Sequence, residues 1–303
     1  SLDLALSILK RGQLSPPLRR LILNQAQGNP LFVEEVTRAL RESGAIQLGT
    51  SKEGKPTWEI VGTAAGVQVP TTLAGLIMSR LDRLETGERR LLQVAAVIGV
   101  TFRASALARV YPYDDLDGRL SERLAGLGRM DLTAAFDPPD EYKFRQTLTQ
   151  EVAYESLSFA RRRALHVRVG EDIERHHRGD LVESYEVLAR HFDQGRHFDK
   201  ALLYLVKAGD KARAEFANEA ALDDYQRALQ VAAELADVDT VASQVLDVLE
   251  AMGDVYLLVS RYTEAVEHFQ QAIAHRLCDA RRCGDLLRKV AKAHELQGQY
   301  EEA

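Results

Sequence analysis

"GDVYLLVSRYTEAVEHFQQA", residues 253–272, decides how the C-terminal part of this chain is read. Gly253 is followed by an aromatic residue at Tyr256, then Ala265, a second aromatic residue at Phe269, and Ala272. Small residues let two helices approach closely, and the rings fill the gap between them. The order recurs upstream as Gly209, Ala212, Ala221, Tyr225 and Ala228, with Ala212 in place of the first ring. It recurs again as Ala189, Phe192, Ala201, Leu205 and Ala208, with Leu205 in place of the second. Ala291, His294 and Ala303 begin a further copy. The spacing of the copies is uneven, so the helix near residues 198–216 is expected to serve two units. Recurrence of this kind is the mark of a stacked array of helix pairs, and it takes precedence over other features.

These copies resemble the tetratricopeptide repeat. The resemblance implies a superhelix of antiparallel helix pairs over residues 181–303, truncated at the C-terminus. Stacked repeats build an extended surface for a protein partner or for other domains of the same chain.

Upstream, helical patterns alternate with two β-hairpins. Residues 1–44 read as helical: Leu18, Leu21, Ile22 and Gln25 share one face. Gly28-Asn29-Pro30 breaks the pattern, and Pro30 suits the first turn of a helix ending at Gly44. "AIQLGTSKEGKPTWEIVG", residues 45–62, reads as a hairpin with a polar tip. Gly49, Gly54 and Lys55 begin the spacing of a phosphate-binding loop, but Pro56 stands where Ser or Thr should bind Mg²⁺. The residues after Lys55 are strand-like, whereas a working loop runs into a helix whose N–H groups meet the phosphate. Thr71 or Thr72 is expected to cap the next helix and Thr86 the one after it. "TFRASALARVYP" and "DLDGRLSERLAGLGR" read as two more short helices. "MDLTAAFDPPDEYKF" reads as two strands around an Asp137-Pro138-Pro139-Asp140 turn. Three helices and then a hairpin is the order of a winged-helix domain.

"GNPLFVEEVTRAL", "LDRLETGERRLLQVAAVIGVTF" and "FRQTLTQEVAYESLSFARRRALHVRVGEDIE" together resemble the post-ATPase region of STAND-type signalling ATPases. The likeness is greatest to bacterial multidomain proteins that join an adenylate or guanylate cyclase domain, an AAA-like ATPase and tetratricopeptide repeats. Large regulators of the LuxR and SARP type are similar, and they supply the alternative of an ATP-dependent transcription regulator. A stand-alone repeat protein and a plain ATP-hydrolysing domain are further alternatives. The resemblance implies a mostly α chain in three parts. Residues 1–84 would be the end of the ATPase lid with a hairpin near 45–62, residues 85–180 a winged helix with linking helices, and residues 181–303 the repeats. It also implies that Gly28, Asn29 and Pro30 form a nucleotide-sensing motif, with Pro30 near the adenine. ATP and Mg²⁺ would be held upstream, so this segment alone is expected to bind no cofactor and to catalyse nothing. Neither end looks closed, and an excerpt of a longer chain is expected.

Composition narrows the alternatives. Net charge is −6, and the charged fraction of 28% is ordinary for a soluble domain. No global basic field favours nucleic acid. The stretch "DDLDGRLSERLAGLGR" carries Asp114, Asp115, Asp117 and Glu122 against Arg119, Arg123 and Arg129, so direct DNA binding is not expected. "ARRRALHVR", with Arg161, Arg162, Arg163, His166 and Arg168, is expected to be a solvated helix face paired with Glu171, Asp172 and Glu174. Glu34-Glu35 is expected to stabilise the helix N-terminus that Pro30 opens. His275, Cys278 and Cys283 do not supply the four ligands of a structural zinc site. The two cysteines are expected to be free, partly buried thiols in a reduced, cytoplasmic protein. No apolar run reaches the roughly 20 residues of a membrane helix.

Overall fold

The computed structural model describes residues 2–10, 12–26, 28–50, 54–62, 70, 72–116, 118–136, 140–176, 179, 181–235 and 238–298. It is mostly α-helical. The chain divides into two compact units, Ser1–Ser158 and Phe159–Ala303. The expected boundary at 84/85 falls inside the first unit and the one at 180/181 inside the second. The Asp137-Pro138-Pro139 part of the expected turn, Thr71 and Ala303 lie outside the described residues.

The first unit opens with α1 (Leu2–Leu9), a short strand β1 (Gln13–Leu14), α2 (Pro16–Ala26) and α3 (Pro30–Glu42). Residues 1–44 are therefore not all helical, because β1 pairs in parallel with a later strand. That strand is β3 (Pro56–Ile60), which also pairs antiparallel with β2 (Ile46–Thr50), giving the sheet order β1-β3-β2. The expected hairpin is present in the register Ile46↔Ile60 to Thr50↔Pro56. Gly49 lies within β2 and Lys55 immediately precedes β3, so this stretch runs from strand to strand and not from strand to helix. Ala5, Leu18, Ile22, Val33, Val36, Leu40, Ile46 and Leu76 form the core beneath the sheet.

Asn29 shows how the sequence sets a helix start. Its Oδ1 accepts from the N–H groups of Leu31 (3.0 Å) and Phe32 (3.3 Å), and Pro30 takes the first position, where no N–H is needed. At the other end Ser43 is the cap and Gly44 adopts φ 69°, a conformation that glycine reaches without strain. Next come α4 (Leu73–Leu81) and α5 (Thr86–Ile98). Thr72 caps α4 by accepting from Gly75 N–H at 3.1 Å. The cap of α5 is Glu85 and not Thr86, which is already its first helical residue.

The remainder of the first unit is β4 (Thr101–Arg103), α6 (Ala104–Val110), α7 (Leu120–Arg129), β5 (Thr133–Ala135), β6 (Glu141–Phe144) and α8 (Thr147–Glu155). Thr101 to Arg103 was expected to be helical but is a strand, because it pairs with β6 and completes the order β4-β6-β5. The helix α7 begins at Leu120, so Asp114 and Asp115 precede it and do not belong to its charge pattern. Asp115 instead accepts from the Tyr111 hydroxyl at 2.9 Å and pairs with Arg123 and Arg90.

The second unit is an array of helices. It comprises α9 (Phe159–His176), a 3₁₀ turn at Val182–Ser184, α10 (Tyr185–Gln194), α11 (Phe198–Ala214), α12 (Asn218–Ala233), α13 (Val238–Leu258), α14 (Tyr262–Ala274) and α15 (Ala280–Gln297). Each helix packs on the next in chain order. Three connections share one local design. Arg196, Phe216 and Ser260 adopt φ of 55°, 60° and 63°, and the following N–H returns to a carbonyl one turn inside the preceding helix. The bonds are His197 N–H to Phe192 O (2.8 Å), Ala217 N–H to Ala212 O (2.8 Å) and Arg261 N–H to Tyr256 O (2.9 Å). Such bonds satisfy helix-end carbonyls and reverse the chain tightly.

Glycines under rings set the helix spacing. A Cβ on Gly209 would fall 2.6 Å from Tyr225 Cε1, and one on Gly253 2.5 Å from Phe269 Cδ1. A third contact was not evident from sequence: a Cβ on Gly170 would fall 2.8 Å from Phe192 Cζ. Gly209→Ala gains up to about 1 kcal/mol of helix propensity but overpacks a full ring, which costs about 1–3 kcal/mol. A net loss of roughly 1–2 kcal/mol is expected in urea unfolding followed by circular dichroism. Gly284→Ala is the counter-case, since nothing lies within 4 Å of its added Cβ, and it should be neutral or stabilising.

Candidate docking surface

The fifteen residues of the three full copies of the expected repeat template lie on helices α10 to α14, and Ala291 and His294 of the further copy lie on α15. Ala189, Phe192, Ala201, Ala221, Tyr225, Ala228, Ala265, Phe269 and Ala272 are buried. Gly209 and Gly253 are buried as well, and Tyr256 is half-buried. They form the interior on which an exposed face is built. The helix α11 packs on both α10 and α12.

Beside this interior, the end of α11 and the start of α10 enclose an open cavity of about 470 Å³. Tyr185, Lys207, Asp210, Lys211 and Glu215 bring aromatic and charged groups to it, and Val182 and Ala214 line its apolar part. Lys207 Nζ stands 5.4 Å from the Tyr185 ring centroid and 5.6 Å from that of Tyr204. Among the described residues no carboxylate pairs with Lys207, and its half-buried ammonium stands against two ring faces. Lys211 is held by Glu186 at 3.1 Å and Glu183 at 3.5 Å. Asp210 accepts from the Tyr225 hydroxyl at 2.6 Å, and burial first and then that bond raise the pKa of the hydroxyl. On α12, burial and then Glu186 and Asp223 push Asp224 up to about 6. A half-buried acid beside other acids is a local reserve of negative potential.

A second charged network joins α13 to α15. Arg282 pairs with Asp247 (2.7 Å) and Glu250 (2.8 Å), and Lys289 with Glu250 (2.9 Å) and Asp254 (2.6 Å). Burial would raise Glu250, but its bonds to Lys289 and Arg282 outweigh that and hold it below the usual carboxylate range. Asp279 caps α15 by accepting from Arg282 N–H at 2.8 Å.

Several expected features lie elsewhere than predicted. His166 does not belong to a solvated face. It is 5% exposed and faces His191, itself 1% exposed, with the two Nδ1 atoms 2.9 Å apart. Glu171 pairs with Arg175, and Glu174 with Lys200 and the Tyr204 hydroxyl. Cys278 and Cys283 are not free thiols but are joined as a disulfide. Cys278 lies in the connection before α15 and Cys283 in its first turn, which brings their Cα atoms to 5.7 Å. Glu35 does not serve the N-terminus of α3. It is 1% exposed, lies in the second turn, and pairs with Arg80.

Gly28, Asn29 and Pro30 are exposed at the start of α3 in the first unit. Gly28 adopts φ 86°, and Asn29 is engaged as the helix cap. Among the described residues no three His, Cys, Asp or Glu side chains are grouped to hold a metal ion. No helix among them is long and apolar enough to cross a membrane.

No protein-family model matches the sequence, and no curated protein matches it. Among solved structures the chain is similar to BtubC (BKLC) from P. vanneervenii. That match covers 72% of this chain and 87% of the other, at 16% identity and a TM-score of 0.30.

Proposed function

We propose that this chain is the docking and relay segment of a STAND-type signalling ATPase, with no catalysis of its own. The observation that carries the reading is the helix connection used three times, at Arg196, Phe216 and Ser260, with glycines beneath rings on the same helices. Helix pairs repeated in this way support a tetratricopeptide-type array, whose face binds a partner protein or the chain's own upstream domains. Three helices α5, α6 and α7, with β4 between the first two and a hairpin after the third, support a winged helix in the first unit. Gly28, Asn29 and Pro30 would then lie at the edge of a nucleotide site completed upstream, in a cytoplasmic protein. Nucleotide exchange there would shift the lid and winged helix, and the array would favour one of the two states. Such coupling requires an affinity that differs between them.

Two titrations test this. The chain should show no saturable binding of a fluorescent ATP analogue at micromolar concentrations, and saturable binding abolished by Lys55→Ala would make it a nucleotide enzyme instead. The chain should also associate with the ATP-binding segment of its parent protein differently in ADP and in ATP. Lys207→Glu at the 470 Å³ cavity should weaken that association. The expected factor is at least about tenfold, since reversing a charge at a docking site costs several times RT. Association indifferent to both nucleotide and substitution would remove the relay reading.

A further inference from the structure

A disulfide joins Cys278 and Cys283, five positions apart, where α14 gives way to α15. The docking of α15 does not depend on it. Asp279, between the two cysteines, caps the helix through Arg282 N–H. Arg282 binds Asp247 and Glu250 on α13, and Lys289 binds Glu250 and Asp254. Leu286 is buried with Leu246, Leu249, Ala265, Phe269 and Ala272. A cross-link stabilises a fold more as the loop it closes lengthens, and this loop is among the shortest.

The local structure also suits the reduced pair. Cys283 Sγ lies 3.4 Å from the Cys278 carbonyl oxygen and 3.8 Å from that of Ile273, in the last turn of α14. Both oxygens can accept from a Cys283 thiol, so the same backbone serves both oxidation states. Neither cysteine is sealed in the core. Both are half-buried, and Leu277 and Asp279 on either side of Cys278 are exposed. An accessible cross-link that the fold does not require is of the kind that opens and closes.

We propose that Cys278 and Cys283 form a thiol–disulfide exchange site for low-molecular-weight thiols of the glutathione class. A small thiolate attacks Cys278 Sγ. The S–S bond breaks, and its electron pair leaves on Cys283 Sγ, in the first turn of α15, where the helix end stabilises negative charge. A second small thiolate then attacks the sulfur of the first. This step releases the Cys278 thiolate and a small-molecule disulfide. The protein sulfurs gain two electrons, two small thiols lose them, and the two protons given up by those thiols go to the cysteines. A small-molecule disulfide drives the same steps in reverse. Opening the bond frees the connection between α14 and α15 while α15 stays docked through Arg282, Lys289 and Leu286. The site thus goes beyond the relay reading and does not rest on it, since it needs neither nucleotide nor a partner.

The test equilibrates the full chain in mixtures of reduced and oxidised glutathione, alkylates the free thiols and counts them by mass. The count should pass from two to none across millimolar mixtures, with the helical circular dichroism unchanged. Amide hydrogen exchange over residues 275–279 should quicken at least about tenfold on reduction, a local opening, while α10 to α12 exchange as before. Cys278→Ser with Cys283→Ser should exchange like the reduced chain in every mixture. In acid-quenched samples taken early in reduction, glutathione should be found on Cys278. A disulfide that survives excess reduced glutathione, thiols that oxidised glutathione leaves free, loss of the helical signal on reduction, or glutathione found on Cys283 instead would each overturn the proposal.

Discussion

Arg80→Ala should lower the stability of the first unit by about 3–5 kcal/mol, the cost of stranding one member of a buried ion pair. Arg80 is 5% exposed, and its guanidinium is used on three sides. Nη1 donates to Glu35 Oε2 at 2.7 Å, Nε to Glu42 Oε2 at 3.3 Å, and Nη2 to the Met130 carbonyl at 2.6 Å. Glu35 also accepts from Gln146 Nε2 at 3.5 Å. One side chain thus ties α3 and α4 to the end of α7 and the start of α8. Removing it leaves a carboxylate without its cation and a carbonyl without its donor. Trp58 is the only tryptophan and lies in this unit, so its fluorescence in urea reports this loss alone. The double substitution Arg80→Met with Glu35→Leu should recover most of the stability, since the desolvation of both charges then disappears. If Arg80→Ala costs no more than a surface substitution, the charges are not the tie that the geometry describes.

The elements that could be read from sequence are those whose cause is local. Apolar spacing marked most of the helices, and Pro30 and Gly44 marked the ends of α3. Alternation and turn residues marked both hairpins. The strands β1 and β4 escaped because each is two or three residues long and exists through pairing with a strand more than 35 positions away. The Glu35–Arg80 pair escaped for the same reason, its members lying 45 positions apart. The repeat template found Gly209 and Gly253 because 16 positions separate each from its ring. It missed Gly170 because the connection between α9 and α10 is longer and displaces Phe192. The turns at Arg196, Phe216 and Ser260 carry side chains in a backbone region that sequence reading reserves for glycine or asparagine. The surface was less legible than the interior, since the Lys207 site depends on which faces the folded elements leave open.

The second unit should lose about 3–4 kcal/mol between pH 7.5 and pH 5 through His166 and His191, each treated as a linked proton equilibrium. Their Nδ1 atoms meet at 2.9 Å, so one ring donates and the other accepts, and both are neutral. Burial, and then Arg190 and Arg162, lower His166 to about 4. Burial, His166 and Arg190 lower His191 to about 3. In the unfolded chain both titrate near pH 6.5. Between that value and pH 4 the unfolded chain holds up to two more protons than the folded one. Stability therefore rises with pH across this window, is complete above it, and is lost as pH falls from about 6.5. Urea unfolding of the helical signal at several pH values measures the slope, and the ring proton shifts of both histidines should stay flat down to pH 5. The variant His166→Leu with His191→Leu removes the proton linkage, so its stability should be flatter over the same range even if its stability at pH 7.5 is lower. An unchanged slope in that variant would place the acid sensitivity on other groups, with Asp224, raised to about 6, excluded by sign because a carboxyl protonated more readily in the folded state gains stability as pH falls.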